Sequence, residues 1–115
     1  MRTSVTRSFT FEAAHQLPWH RGKCRDLHGH GYRLEVTVEG PVGPNGVVVD
    51  FDEVEALVTR EVIDVYDHRF LNELLDNPTA ELIAQDAWKR LEAADLAVAR
   101  IRLWETADCM VEVRR

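Results

Sequence analysis

Two stretches of the chain alternate apolar and polar residues with a period of two, which is typical of strands that bury one face. They cover residues 4 to 15 and 30 to 39. The turn-rich segment 41 to 46 follows the second stretch. The next run, 47 to 49, is too short to stand alone, so we expect it to extend the sheet or to lead into a helix.

Two further stretches carry apolar residues at helical spacing. The first begins after Asp50, which can act as N-cap with Glu53 as its capping-box partner, and its apolar face runs to Val65. The second begins after Thr79, a second N-cap candidate. Its apolar stripe consists of Leu82, Ile83, Ala87, Trp88, Leu91 and Ala94.

Residues 98 to 105 and 110 to 114 close the chain as a second hairpin. The order of elements predicts an α+β fold, in which a four-stranded antiparallel sheet made of two hairpins carries two helices on one face. The opposite face then has to meet solvent or another subunit. With 115 residues, 45% of them hydrophobic, and no visible linker, residues 1–115 form a single domain.

Charge and hydropathy exclude several classes of partner. Lys and Arg total 14 against 20 Asp and Glu, a net charge of -6, which argues against nucleic acid. No apolar run could span a membrane and the first residues lack the apolar core of a signal peptide, so we expect a cytoplasmic protein. A reducing cytosol argues against a disulfide between Cys24 and Cys109, and Cys109 is expected to be a small packing residue.

Histidines at three positions predict a metal site. His28 and His30 are two residues apart on a strand and therefore point to the same face. His15 ends the first strand, and it would reach the same place if the two strands pair. Three imidazoles are a common set of ligands for catalytic zinc, which keeps a fourth position open. A closed structural zinc site that uses Cys24 as fourth ligand is the alternative, whereas His20 is interpreted as a solvated loop residue.

Cys24 lies in a loop among Arg21, Lys23 and Arg25. Nearby cations and a metal both lower the pKa of a thiol, so Cys24 is a candidate reactive thiolate. The three cations are either a solvated loop or an anion contact, and they are the candidates for binding phosphate groups.

Five motifs, in order, resemble the family of 6-pyruvoyltetrahydropterin and 6-carboxytetrahydropterin synthases, and the resemblance spans nearly the whole chain. They are Phe9-Thr10-Phe11-Glu12-Ala13-Ala14-His15; Cys24 with His28-Gly29-His30; Asp67-His68 with Leu71-Asn72; Asn77-Pro78-Thr79; and Glu105-Thr106. Ala80 departs from the pattern, because relatives often carry a hydroxyl there.

The resemblance implies a role for each site residue. The zinc ligands would be His15, His28 and His30; the catalytic residues would be Cys24, as a base rather than a ligand, with Asp67 and His68; and the substrate contacts would be Glu105, Thr79 and Thr106. A carboxylate such as Glu105 can accept two adjacent N–H groups of a pterin edge. His68 can exchange protons near neutral pH, with Asp67 holding its tautomer.

The resemblance also implies a substrate and an assembly. The substrate would be 7,8-dihydroneopterin triphosphate, with Zn²⁺ as cofactor. Three residues between Cys24 and His28 favour the carboxy branch, on the way to queuosine and other 7-deazapurines, over the pyruvoyl branch. The implied fold is the tunnelling fold (T-fold), in which sheets of three subunits close into a barrel and two trimers form a hexamer with sites between subunits. A non-catalytic zinc- or pterin-binding module is the alternative from another class.

Overall fold

The computed structural model describes residues 1–115 and contains one five-stranded sheet. Its strands are β1 (Thr3–His15), β2 (His28–Gly40), β3 (Arg69–Phe70), β4 (Val98–Thr106) and β5 (Cys109–Arg114), in the order β3-β1-β2-β4-β5. The pairs β1/β2, β2/β4 and β4/β5 are antiparallel, which confirms both predicted hairpins. The fifth strand was not predicted, because two residues parallel to β1 are too short to show a period.

The helices are α1 (Phe51–Val58), α2 (Asp64–Tyr66) and α3 (Ala80–Ala93), and a π-helical turn, Thr59–Ile63, joins the first two. Both predicted N-caps are confirmed, since the Asp50 carboxylate accepts from the backbone N–H of Asp52 at 2.8 Å and the Thr79 hydroxyl from that of Leu82 at 3.2 Å. The Glu53 N–H donates instead to the Asp50 carbonyl, and the Glu53 side chain does not bond to the Asp50 N–H, so the predicted capping box does not form. Residues 47 to 49 form no strand and lead into α1.

The core lies between one face of the sheet and the helices. Alternate residues of β1, β2 and β4 pack with one side of α1 and of α3, as the periodicities predict. Phe51 and Leu82 are exceptions, because 55% and 39% of them are exposed. This packing confirms the α+β class with the helices on one face of the sheet.

The opposite face of the sheet is polar and no element covers it. Register aligns Glu35, Arg102 and Glu112 across three strands, and the Arg102 guanidinium lies 2.7 Å from the Glu112 carboxylate. Beside this row the Arg33 guanidinium stacks 4.9 Å above the Trp104 ring. None of the helices has the length and apolar character needed to span a bilayer.

Candidate metal centre and active site

Pairing of β1 with β2 brings the three predicted histidines together. His15 is opposite His28, and Ala13 is opposite His30, so all three imidazoles lie at one end of the buried face. His15 Nε2 is 2.9 Å from His28 Nε2, and Glu105 Oε1 lies 3.1 Å from Nε2 of both His15 and His30. Four ligand atoms, one from each residue, thus lie within 4.8 Å of one another.

In two of the imidazoles, the Nδ1 atom already has a hydrogen-bond partner. His15 Nδ1 is 2.8 Å from the carbonyl of Pro78, and His28 Nδ1 is 2.7 Å from that of Asp26. Since a carbonyl only accepts hydrogen bonds, each Nδ1 carries a proton, and in the neutral imidazole each Nε2 keeps its lone pair. Two lone pairs that face each other at 2.9 Å need a proton or a cation between them.

The third imidazole supports the same conclusion. His30 Nε2 is buried and has no hydrogen-bond partner, because Glu105 Oε1 is near enough but not aligned with it. A buried polar atom without a partner is costly unless something coordinates it. Three imidazole nitrogens, with a carboxylate oxygen beside them, suit zinc and similar transition metals better than magnesium or calcium. The residues present therefore fit the predicted metal.

The charges of the cluster are interdependent. A hydrogen bond with His15 lowers the pKa of Glu105, and the charges of the neighbouring histidines add to this effect. Burial lowers the pKa of His15, but its bonds to Glu105 and to the Pro78 carbonyl outweigh burial and raise the pKa above the usual 6.5. Burial lowers the pKa of His30. Without a metal, His15 is therefore protonated more readily than His30.

Glu105 was predicted to contact substrate, and its place in the histidine cluster was not foreseen. A signal for it exists in β4, where Ile101 and Leu103 are buried and Glu105 continues their face. A carboxylate at the end of a buried face, beside the strand that carries His28 and His30, is expected to lie near the imidazoles.

Cys24 lies outside this group of converging ligand atoms. It is half-buried in a 3-10 turn, Lys23–Arg25, and its thiol is free. This placement disfavours the closed site with Cys24 as fourth ligand. Cys109 is also free, but it is exposed, so its prediction as a packing residue was wrong: it begins an edge strand beside the turn that joins β4 to β5.

Asp67 and His68 form a pair that is anchored on β1. Their side chains meet at 3.0 Å, between Asp67 Oδ2 and His68 Nδ1. The backbone of Glu12 holds both residues, since its N–H donates to Asp67 Oδ1 at 2.9 Å and its carbonyl accepts from the His68 N–H at 2.6 Å. The Glu12 N–H, and next His68, lower the pKa of Asp67, which therefore stays ionised.

His68 has two unusual properties. Its backbone φ is +58°, in the left-handed region that few residues other than glycine adopt. Its side chain is 80% exposed, at the edge of the sheet, and no hydrogen bond links it to Cys24 within the protomer. A depression of about 460 Å³ lies between His68 and His30, and Gly29 and Gly31 help to line it.

The other predicted contacts lie near the cluster without joining it. The Thr79 hydroxyl serves as the α3 cap, and the Thr106 hydroxyl donates to Asp108 at 2.9 Å. The three cations beside Cys24 are exposed and form no ion pair: Arg21, Lys23 and Arg25. The structure therefore leaves these cations available to a ligand.

Comparison with known proteins identifies the family. The family model described as 6-pyruvoyl tetrahydropterin synthase matches residues 4–115. A 6-carboxy-5,6,7,8-tetrahydropterin synthase of Synechocystis sp. is 41% identical over 97 residues, 78% of this chain and 75% of that protein. A dihydroneopterin monophosphate aldolase of Pyrococcus furiosus is 35% identical over 116 residues, 98% of each chain.

A solved structure has the same fold. The 6-pyruvoyl tetrahydropterin synthase of Caenorhabditis elegans superposes with a TM-score of 0.89 at 23% identity, over 100% of this chain and 96% of the other. Its fold agrees with the T-fold predicted from the five motifs. The chain therefore belongs to the 6-pyruvoyl tetrahydropterin synthase family.

Proposed function

We propose that this protein is a zinc-dependent 6-carboxy-5,6,7,8-tetrahydropterin synthase. The reaction takes 7,8-dihydroneopterin triphosphate and one water to 6-carboxytetrahydropterin, acetaldehyde and triphosphate, and its product serves the synthesis of queuosine and related 7-deazapurines. The observation that carries the proposal is the convergence of three imidazoles, with a free thiol outside their ligand group. The Synechocystis relative, 41% identical, carries this name.

His15, His28 and His30 hold the zinc through their Nε2 atoms in this proposal. When bound, zinc acts as a Lewis acid on the oxygens of the substrate side chain, which makes its hydroxyls more acidic and polarises a carbonyl. The Pro78 and Asp26 carbonyls fix the ring orientations, so the ligands are arranged before the metal arrives.

Glu105 anchors the pterin ring by accepting two adjacent N–H groups. Its carboxylate oxygen lies 3.1 Å from Nε2 of two of the histidines. The low pKa of Glu105 keeps the carboxylate ionised and able to accept these bonds at neutral pH.

Cys24 and His68 move the protons. The Cys24 thiolate removes a proton from the substrate side chain, while His68 exchanges one on the other side. Asp67, 3.0 Å from His68 Nδ1, keeps the proton on that nitrogen and leaves Nε2 as the working atom.

The site is completed by association of subunits. His68 is exposed at the edge of the sheet and is not bonded to Cys24 of its own chain. The outer edge of β1 pairs with β3 only at Ala13 and Ala14, so most of it is open to a second chain. We place the pair Asp67 and His68 opposite Cys24 of a neighbouring subunit, in a hexamer built as a dimer of trimers.

A second candidate is a dihydroneopterin monophosphate aldolase. The Pyrococcus relative favours it, because the match covers 98% of both chains, so their lengths agree closely. This reaction also breaks a carbon–carbon bond of the side chain, and it needs the same acid–base groups. It differs in leaving a hydroxymethyl pterin and a phosphorylated two-carbon aldehyde.

The test is to incubate the zinc-loaded protein separately with 7,8-dihydroneopterin triphosphate and with the monophosphate, and to identify the products by mass spectrometry. Acetaldehyde with a carboxypterin supports the proposal. An intact three-carbon side chain with loss of triphosphate would establish the pyruvoyl synthase instead. Cleavage of the monophosphate alone would establish the aldolase, and no turnover of either substrate would indicate a non-catalytic zinc- or pterin-binding module.

A further inference from the structure

The side chain of Asn72 continues the sheet where the backbone of β3 leaves it. β3 pairs with β1 at Ala13 and Ala14, and the chain then turns into a 3-10 turn, Leu71–Glu73. Asn72 Oδ1 accepts from the Gln16 N–H at 2.9 Å, and Asn72 Nδ2 donates to the Gln16 carbonyl at 2.8 Å. The amide thus satisfies both backbone groups of Gln16, as a neighbouring strand would.

We call the two hydrogen bonds between the Asn72 amide and the Gln16 backbone the clamp. Gln16 connects this clamp to Cys24. The next residue, Leu17, is 7% exposed, and its N–H donates to the Cys24 carbonyl at 2.8 Å. The 3-10 turn that contains Cys24 has no buried residue, and its other backbone bonds stay within residues 22 to 26. The bond from Leu17 is therefore the backbone link between this turn and the packed part of the protein.

We propose that Asn72 is a positioning residue for the reaction: by clamping the backbone of Gln16 it sets the place of Leu17 and, through it, of Cys24. The inference rests on the proposed function in that it takes Cys24 as the base. Small displacements of a reacting group, about 1 Å, can cost about 100-fold in rate. A flexible turn that carries such a group gains from a rigid external tie.

The chemistry of the clamp requires asparagine. Aspartate has the same shape and can accept from the Gln16 N–H, but it has no N–H for the Gln16 carbonyl and places two oxygens against each other. Alanine makes neither bond. The same loop offers a matched control, because Trp19 Nε1 donates to Asn77 at 2.8 Å, a bond of similar length that does not involve Leu17.

The experiment compares wild type, Asn72→Ala, Asn72→Asp and Trp19→Phe as zinc-loaded protein. Each is alkylated with iodoacetamide at fixed pH, and peptide mass spectrometry follows Cys24 and Cys109 in the same sample. Cys109 is exposed near the other end of the chain and serves as the internal reference. We expect both Asn72 variants to change the ratio of the Cys24 rate to the Cys109 rate by about threefold or more, because thiol reactivity follows exposure and surroundings.

Turnover supplies the second measurement. We expect kcat of both Asn72 variants to fall about tenfold or more with KM within about threefold and zinc content unchanged, while Trp19→Phe stays near wild type. An unchanged thiol ratio in both variants, full activity of Asn72→Asp, or an equal effect of Trp19→Phe would overturn the inference. If Asn72→Ala does not fold, Asn72→Asp alone decides. Absence of turnover in the wild type would sink the proposed function, whereas the thiol ratio would still decide the clamp.

Discussion

Zinc should stabilise the folded protein strongly, because its ligands meet only when the sheet has formed. His15 and His28 come together through the pairing of β1 with β2, which also places His30 at the same end of the buried face. The unfolded chain lacks this site, so binding free energy adds to folding free energy. At a free zinc concentration 100 times Kd the gain is about 2.7 kcal/mol. For a domain of this size, about 4 °C per kcal/mol gives a rise in Tm of about 10 °C.

Replacement of one ligand should nearly abolish this gain. Loss of a group that only hydrogen-bonds to a metal ligand costs roughly 10- to 100-fold in metal affinity. Loss of the ligand itself, in His28→Ala, should therefore weaken zinc binding by at least about 100-fold. At the same free zinc concentration the metal is then near its Kd, and the gain falls to about 0.4 kcal/mol. The expected rise in Tm for this variant is below about 2 °C.

The assay is differential scanning calorimetry in metal buffers that fix free zinc. His20→Ala is the matched control, because His20 binds the Gly22 N–H within its own loop and lies outside the cluster. The control should keep the full rise of about 10 °C. A full rise in His28→Ala, or its loss in His20→Ala, would refute the assignment of the metal site.

Three further predictions address the base, the pH response and the core. Cys24→Ala should keep the zinc-induced rise in Tm while turnover falls by about 10²- to 10⁴-fold, whereas loss of zinc in that variant would favour the closed site. Zinc affinity, measured by chelator competition, should weaken as pH falls from 8 to 5.5. The weakening should start above pH 6.5, because the pKa of His15 is raised and this ligand is therefore protonated there. A zinc affinity that is constant across this range would contradict the cluster. Tyr66→Phe removes a buried hydroxyl that donates to Asp86, while Asp86 keeps its bond to Arg90 at 2.7 Å. The free energy of unfolding, measured in urea, should therefore fall by about 1.5 kcal/mol. A decrease below about 0.5 kcal/mol would count against this network.

The parts of the site that depend on short-range periodicity could be predicted from the sequence. Residues at i and i+2 of a strand share a face, so the placement of His28 and His30 on one side of β2 follows from strand geometry alone. The addition of His15 needed the register of two strands, which their matching alternation made plausible and the structure confirms.

Features that depend on long-range contacts left no periodic signal. The two residues of β3 are held by their partner on β1. The same holds for the clamp of Asn72 on Gln16, which spans 56 residues of sequence. Each involves one or two residues whose partners lie far along the chain, so local propensity says nothing about them.

The left-handed backbone at His68 bears on how this protein can be improved. A non-glycine residue in that region carries a conformational cost of about 1 to 3 kcal/mol, which glycine or asparagine would reduce or avoid. Selection for heat resistance alone would therefore enrich substitutions at a position where the imidazole is expected to be needed. Engineering for thermal stability should therefore keep His68 and change other positions, since stability and catalysis favour different residues here.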